Sequence, residues 1–145
     1  MPALSKFSTD NLITCCAELE HTFRVVAEEF DIRILEGVRS WDRQAQLLEE
    51  GRTTLEPGES KHNPPKLPDT GLEDQLWLSN AVDAAPYPID WNDAKRFIYM
   101  AGIVIGVGRA LGYNIRWGGN WDEDQVIIDD QNFDDLPHFE YIGRF

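Results

Sequence analysis

The sequence predicts an α+β fold, with a small, largely antiparallel sheet and helices packed on it. Three stretches place apolar residues at helical spacing, and four short runs read as strands. Their order is helix, strand, helix, long loop, strand, helix, strand, strand, which suits an antiparallel sheet covered by helices.

Leu12, Cys16, Leu19, Phe23, Val26 and Phe30 recur at steps of four and three. They paint one face of an amphipathic helix, with Ser8 and Asp10 as capping candidates. His21 falls on the opposite face and is read as solvated, not as a ligand. The run "IRIL" is a short strand, and "EGVRS" turns the chain into a second helix. There Trp41, Ala45 and Leu48 share a face and Gly51 supplies the stop. From residue 53 to 80 the character changes. Pro57, Pro64, Pro65 and Pro68 with Gly58 and Gly71 rule out a continuous helix or a central strand. Such a long loop inside a compact domain is usually functional or disordered. "AVDAA" follows as a strand ended by "PYPID". Asp90 is the expected cap of a third helix with Ala94, Phe97, Ile98, Ala101 and Ile105 inward and Gly112 at its end. "YNIRW" reads as a strand, "GGNWDEDQ" as a turn and acidic loop, and "HFEYI" as the last strand. With no internal repeat and no linker, residues 1–145 read as one domain without a separate wall-binding unit.

A chain of 145 residues can bury one core but not two comfortable ones. Its apolar content, with five tryptophans, is that of a globular protein. The formal charge of -13, from 26 acidic and 13 basic residues, argues against a nucleic-acid partner, because phosphate binding is driven by Lys and Arg. Cys15 and Cys16 are adjacent and cannot form an ordinary structural disulfide with each other. The start of the chain lacks the basic and apolar pattern of a secretory signal, and no window approaches the ~20 apolar residues of a membrane helix. A soluble cytoplasmic product with no membrane insertion is expected.

The stretch "DDLPHFE", residues 134–140, holds one of only three histidines. Either Asp134 and Asp135 end an exposed acidic loop beside a buried strand histidine, or His138 is a metal ligand with a carboxylate base nearby. A period of two puts His138 and Glu140 on one face and Phe139 and Tyr141 on the other. The histidine therefore need not belong to the apolar layer. His62 in "SKH" and Asp83 in "AVD" stand at the edges of the long loop. A lone aspartate in an apolar strand is costly to bury unless it is paired or bound to a cation. Two imidazoles and one carboxylate, with a fourth position left to water, suit a catalytic zinc site better than a structural one.

"SKH", "AVD" and "DLPHFE", with "VRSWDRQ" upstream and "RWGG" between them, resemble one group of zinc peptidases. It includes the D-alanyl-D-alanine carboxypeptidases and dipeptidases of vancomycin resistance and the phage L-alanyl-D-glutamate endolysins. The shared pattern is S-x-H, then A-x-D, then D/E-x-x-H, and the match runs from Glu36 to Tyr141. The resemblance implies a single zinc at the sheet edge held by His62, Asp83 and His138. It also implies Asp135 as catalytic base and Arg39 beside the substrate carbonyl, stabilising the oxyanion. Ser60 and Gln44 match positions near the substrate or beside the ligands. Arg39 has the alternative of a surface salt bridge. Trp117 and Trp121 flank "GGN", where they either line a substrate groove or pack at a tight turn.

One departure from the family pattern is the step of 21 residues from His62 to Asp83, where the compact motif is much shorter. Residues 63–80 read as an insertion with "LWL" as a candidate apolar anchor, either a wall or lid beside the site or a surface excursion. From Asn120 to Asp130 the chain spaces Asn120, Asp122 and Asp124 as a calcium loop begins. Gln125 and Gln131 stand where glycine and a bidentate glutamate are required, so a solvated loop is the first reading and Ca2+ the second.

The activity the resemblance implies is hydrolysis of the L-alanyl-D-glutamate bond of peptidoglycan stem peptides by a monomeric phage-type endolysin. Such an enzyme is made without a signal peptide in the host cytoplasm and reaches the wall through a separate pore-forming protein. Two readings stand beside it: a D-Ala-D-Ala carboxypeptidase or dipeptidase with the same metal chemistry, and a non-catalytic peptidoglycan-binding virion module. Cys15 and Cys16 have no place in the scheme, so a cysteine peptidase is not expected.

Overall fold

Four antiparallel strands form the sheet: β1 (Ile32–Glu36), β2 (Ala81–Pro86), β3 (Tyr113–Gly118) and β4 (Asp135–Arg144), in the order β1-β2-β4-β3. The computed structural model describes residues 3–124, 127–128 and 134–145. The helices are α1 (Lys6–Leu12), α2 (Ala17–Glu29), α3 (Trp41–Glu49) and α4 (Ala94–Ala110). Cross-strand partners are Val82 with Phe139, Asp83 with His138, Trp117 with Phe139, and Arg116 with Glu140. Alternate strand residues face opposite sides. Val82, Phe139 and Trp117 thus join the core with Phe23, Phe97, Met100 and Val104, while Asp83, His138, Glu140 and Arg116 occupy the other face. Phe23 of α2 meets Phe139 edge to face at 5.5 Å, tying the helical layer to β4.

The single first helix expected from the periodicity is two helices. Between them, Cys16 N–H donates to the Ser79 carbonyl and Ser79 N–H donates to the Thr14 carbonyl, each at 2.8 Å. The end of the long loop therefore inserts its backbone into the break, a distant contact that apolar spacing cannot reveal. The cap of α1 is Ser5, whose hydroxyl accepts from Ser8 N–H, not Ser8 or Asp10. Ser8 instead accepts from Ile34 N–H at 2.9 Å, and Asn11 donates to the Ile34 carbonyl at 3.1 Å. These side chains satisfy backbone groups on the outer edge of β1, which no other strand covers among the described residues.

Two helical faces also differ from expectation. α3 buries Gln44 and Leu47, leaving Ala45 exposed and Trp41 and Leu48 half-buried, because Gln44 turns toward a polar cluster on the sheet. α4 buries Phe97, Met100, Ala101, Val104 and Gly108, with Ala94 exposed and Ile98 and Ile105 half-buried. Its sequence is apolar on most sides, so periodicity alone does not select the inward stripe. Asp93 occupies the cap position, while the Asp90 carboxylate accepts from Asn92 N–H in the preceding turn.

In the "LWL" segment the two leucines do not anchor the loop, Leu76 being 90% exposed and Leu78 also exposed, while Trp77 is half-buried. Trp41 pins the loop instead. Its indole N–H donates to the Pro64 carbonyl, its backbone N–H donates to Glu73, both at 2.7 Å, and the Lys66 ammonium lies 4.5 Å from its ring.

Phe23 is fully buried. Phe23→Ala should lower the unfolding free energy by about 3–5 kcal/mol, the usual cost of deleting a buried ring, in urea denaturation followed by circular dichroism. A loss below about 1 kcal/mol would contradict this packing.

Candidate metal centre

The site begins where β1 ends. Ile34 pairs with Ala84, but Glu36 pairs with Asp83, so one extra residue of β1 is accommodated between them. Such a bulge shifts the side-chain alternation and brings Glu36 to the face of Asp83. The next residue, Gly37, lies so close to the α1–α2 turn that a Cβ would sit 2.1 Å from Thr14 Oγ1 and 2.6 Å from the Asn11 carbonyl. No larger residue fits without moving that backbone. Its carbonyl accepts from His62 Nδ1 at 2.7 Å. Arg39 N–H donates to the His62 carbonyl at 2.8 Å, and the Asn63 amide donates to the Arg39 carbonyl at 3.0 Å. Three hydrogen bonds thus dock the loop histidine on the segment after β1.

Asp83 and His138 arrive as cross-strand partners on the two middle strands. His62 Nε2 lies 3.2 Å from both Asp83 Oδ1 and His138 Nδ1, and His138 Nδ1 lies 3.3 Å from Asp83 Oδ1. Ligand atoms at ~2.0–2.1 Å from a tetrahedral zinc stand roughly 3.3–3.4 Å apart, so this triangle matches one face of such a centre. The donor chemistry fits as well. His62 Nδ1 faces a carbonyl and His138 Nε2 faces the Glu140 carboxylate at 2.9 Å, so both nitrogens carry protons there. The other nitrogen of each ring, His62 Nε2 and His138 Nδ1, faces Asp83, where in a neutral ring its lone pair would be free for a metal. Among the described residues, no other group of three His, Cys, Asp or Glu donors converges in this way.

The charges around the triangle are strongly coupled. Burial alone would raise the Asp83 pKa, but the two imidazoles outweigh it and hold the carboxyl well below the usual range. Burial disfavours charge on His138, yet Asp83, Glu140 and Asp135 push its pKa up to about 9. Asp135 is raised by burial and by the Asp83 charge. Its Oδ2 lies 4.0 Å from His138 Nδ1. Cys15, buried in the core, is pushed up to about 12 by desolvation, which leaves it an inert thiol.

Arg39 lies at this cluster and not in a surface salt bridge. Its guanidinium donates to Glu36 at 2.6 Å, to Gln44 at 3.0 Å and to Asp83 Oδ2 at 3.4 Å. Gln44, fully buried, also donates to the Leu55 carbonyl and so fixes Arg39 between α3 and the sheet. Ser60 accepts from His62 N–H at 3.2 Å and shapes the turn that presents His62 to the cluster. Trp121 reaches the site, its ring centroid 5.7 Å from that of His138. Trp117 does not: it is 2% exposed, packs in the core and donates its indole N–H to the Leu136 carbonyl. It lines no open groove.

The glycine beside Trp117 has a spatial cause. A Cβ on Gly118 would lie 2.0 Å from the Asp135 carbonyl oxygen, so glycine lets β3 approach the start of β4. Glu36, Gly37, Arg116 and Glu140 were not singled out by sequence reasoning as site residues. The two-residue spacing of His138 and Glu140 was a usable signal, whereas the bulge that turns Glu36 was not. Part of the suggested calcium stretch lies outside the described residues. Within the described part, Asn120 donates to the Asp124 carbonyl and Asp122 accepts from Asp124 N–H, both bonds of a local turn.

An α+β domain that converges two imidazoles and a carboxylate beside its sheet, with another carboxylate close by, has the layout of a hydrolytic metal centre. A family model described as phage L-alanyl-D-glutamate peptidase matches residues 3–142. The L-alanyl-D-glutamate peptidase of Escherichia phage T5 is 32% identical over 123 residues, covering 81% of this chain and 80% of that protein. The crystal structure of the Serratia marcescens L-Ala D-Glu endopeptidase ChiX shares the fold, with a TM-score of 0.69 at 22% identity over 96% of this chain and 89% of that one. The chain belongs to the phage L-alanyl-D-glutamate peptidase family, and so to the peptidase hydrolases.

The triangle predicts metal content directly. His62→Ala and His138→Ala should each lose most bound zinc in elemental analysis of the purified protein, while His21→Ala, whose ring meets the Tyr113 hydroxyl on the exposed side of α2, should keep it. Wild-type zinc content in either of the first two variants would contradict the ligand set.

Proposed function

We propose that this chain is a phage-type endolysin, a zinc metallopeptidase that hydrolyses the L-alanyl-D-glutamate bond of peptidoglycan stem peptides. The observation that carries the reading is the triangle of His62, Asp83 and His138 donor atoms at 3.2–3.3 Å, in a chain of this family. The bond is the one named for the family and for both relatives.

Zinc held by these three residues supplies Lewis-acid polarisation of the scissile carbonyl and makes water a competent nucleophile near neutral pH. The protein's own groups do the rest. Asp135, whose carboxylate lies 4.0 Å from His138 Nδ1, accepts the proton of the attacking water and returns it to the leaving amine. Arg39, immobilised by Glu36 and Gln44, offers fixed positive charge to the developing oxyanion without reorganising during the reaction. Trp121 borders the ligand His138 and supplies an aromatic wall for the stem peptide. No helix among the described residues is long and apolar enough to cross a membrane. Access to the wall is assigned to a separate pore-forming protein, and the enzyme acts as a monomer.

Digestion of purified sacculi tests the bond and the base together. Amine labelling with mass spectrometry should reveal new D-glutamate amino termini. Asp135→Ala should retain zinc while losing roughly 10²-fold or more of that activity, the usual scale for a positioned acid–base group. Asp134→Ala should lose much less. Release of D-alanine with no new glutamate amine would favour the carboxypeptidase reading, and equal losses in the two variants would mean that the wrong carboxylate has been assigned.

A further inference from the structure

The two histidines of the cluster are oriented by different kinds of acceptor. His62 donates Nδ1–H to a neutral backbone carbonyl, and His138 donates Nε2–H to the carboxylate of Glu140. Glu140 is only 6% exposed, a costly place for a charge unless it is paired and hydrogen-bonded. Its two oxygens are divided: Oε1 takes the His138 proton at 2.9 Å, and Oε2 accepts from Arg116 Nη2 at 2.7 Å. Arg116 is the cross-strand partner of Glu140 on β3, so the sheet register itself holds the pair together. Trp121 flanks both, its ring 5.7 Å from the His138 ring and 5.8 Å from the Arg116 guanidinium.

A bond between β3 and β4 needs only one carboxylate oxygen. The second oxygen aims at the far nitrogen of a candidate ligand, where an acceptor fixes the tautomer and raises the basicity of the near nitrogen. We propose that Glu140, held in place by Arg116, is a positioning residue of the metal centre. It locks His138 with its proton on Nε2, presents Nδ1 to the metal and strengthens that nitrogen as a donor without touching the metal itself. Arg116 balances the carboxylate, so that Glu140 polarises the imidazole N–H while the proton stays on the ring. The inference rests on the reading of the cluster as a zinc site.

The test uses the full chain. Zinc dissociation constants are measured by competition with a chromophoric chelator for wild type, Glu140→Gln and Glu140→Ala, alongside thermal midpoints of the metal-free proteins. Glu140→Ala should bind zinc about 10–100-fold more weakly. Glu140→Gln, which keeps an acceptor oxygen but loses its charge, should fall between it and wild type. Unchanged zinc affinity in both variants, with lowered metal-free midpoints, would make Glu140 a purely structural ion-pair residue and overturn the proposal.

If the alanine variant fails to fold, Glu140→Gln carries the affinity test, and long-range 1H–15N spectra of the zinc-loaded wild type check the tautomer on which the proposal depends. They should place the His138 proton on Nε2 and the His62 proton on Nδ1, and the same tautomer in both rings would overturn the assignment. Wild-type protein that binds no zinc would sink the metal reading as a whole. Zinc-binding wild type with unaffected Glu140 variants would sink this inference alone.

Discussion

Asp83 and His138 oppose each other across the two middle strands, and His62 closes on them from the loop. Their donor atoms converge to 3.2–3.3 Å with both imidazole protons committed elsewhere. Two lone pairs and a carboxylate at that separation are favourable only when positive charge lies among them. The upward shift of His138 and the downward shift of Asp83 express the same demand. The cluster could hold a metal ion, and its spacing is compatible with the tetrahedral geometry of zinc.

Much of the surrounding architecture holds that triangle at fixed size. The bulge in β1 brings Glu36 to the face where it grips Arg39. Gly37 presses the start of the next segment against the α1–α2 turn, which fixes the carbonyl that orients His62. Ser79 ties the end of the long loop into the same turn, two residues before β2 begins. The 21-residue step from His62 to Asp83 therefore leaves both side chains anchored to one scaffold. On the opposite side, Gly118 lets Asp135 approach β3, and Arg116 secures Glu140 behind His138.

Local pattern made most of this fold legible. All four strands and, apart from the split first helix, the order of elements follow from strand-like runs and helical spacing, and the period of two correctly separated His138 and Glu140 from Phe139. The three donors were legible because S-x-H, A-x-D and D-x-x-H occur jointly, and the structure brings those residues together. What escaped depends on contacts distant in sequence. The break at Cys16 requires the Ser79 backbone, and the turning of Glu36 requires a bulge that has no residue signature. The stripe of α4 is ambiguous because apolar residues surround most of it. Trp117 was open to two readings because a tryptophan beside glycines serves a groove or a core equally well. Hydrophobicity marks "LWL" as a candidate anchor, but its leucines are exposed and Trp41 pins the loop through hydrogen bonds.

The central claim is that His62, Asp83 and His138 hold one metal ion through Nε2, a carboxylate oxygen and Nδ1 respectively. Anomalous diffraction at the zinc absorption edge from crystals of the zinc-loaded chain tests it most directly. The account predicts a single strong peak at about 2.0–2.1 Å from those three atoms. A peak at Cys15 and Cys16, at the acidic turn near Asp122, or bound through His62 Nδ1 or His138 Nε2 would contradict it.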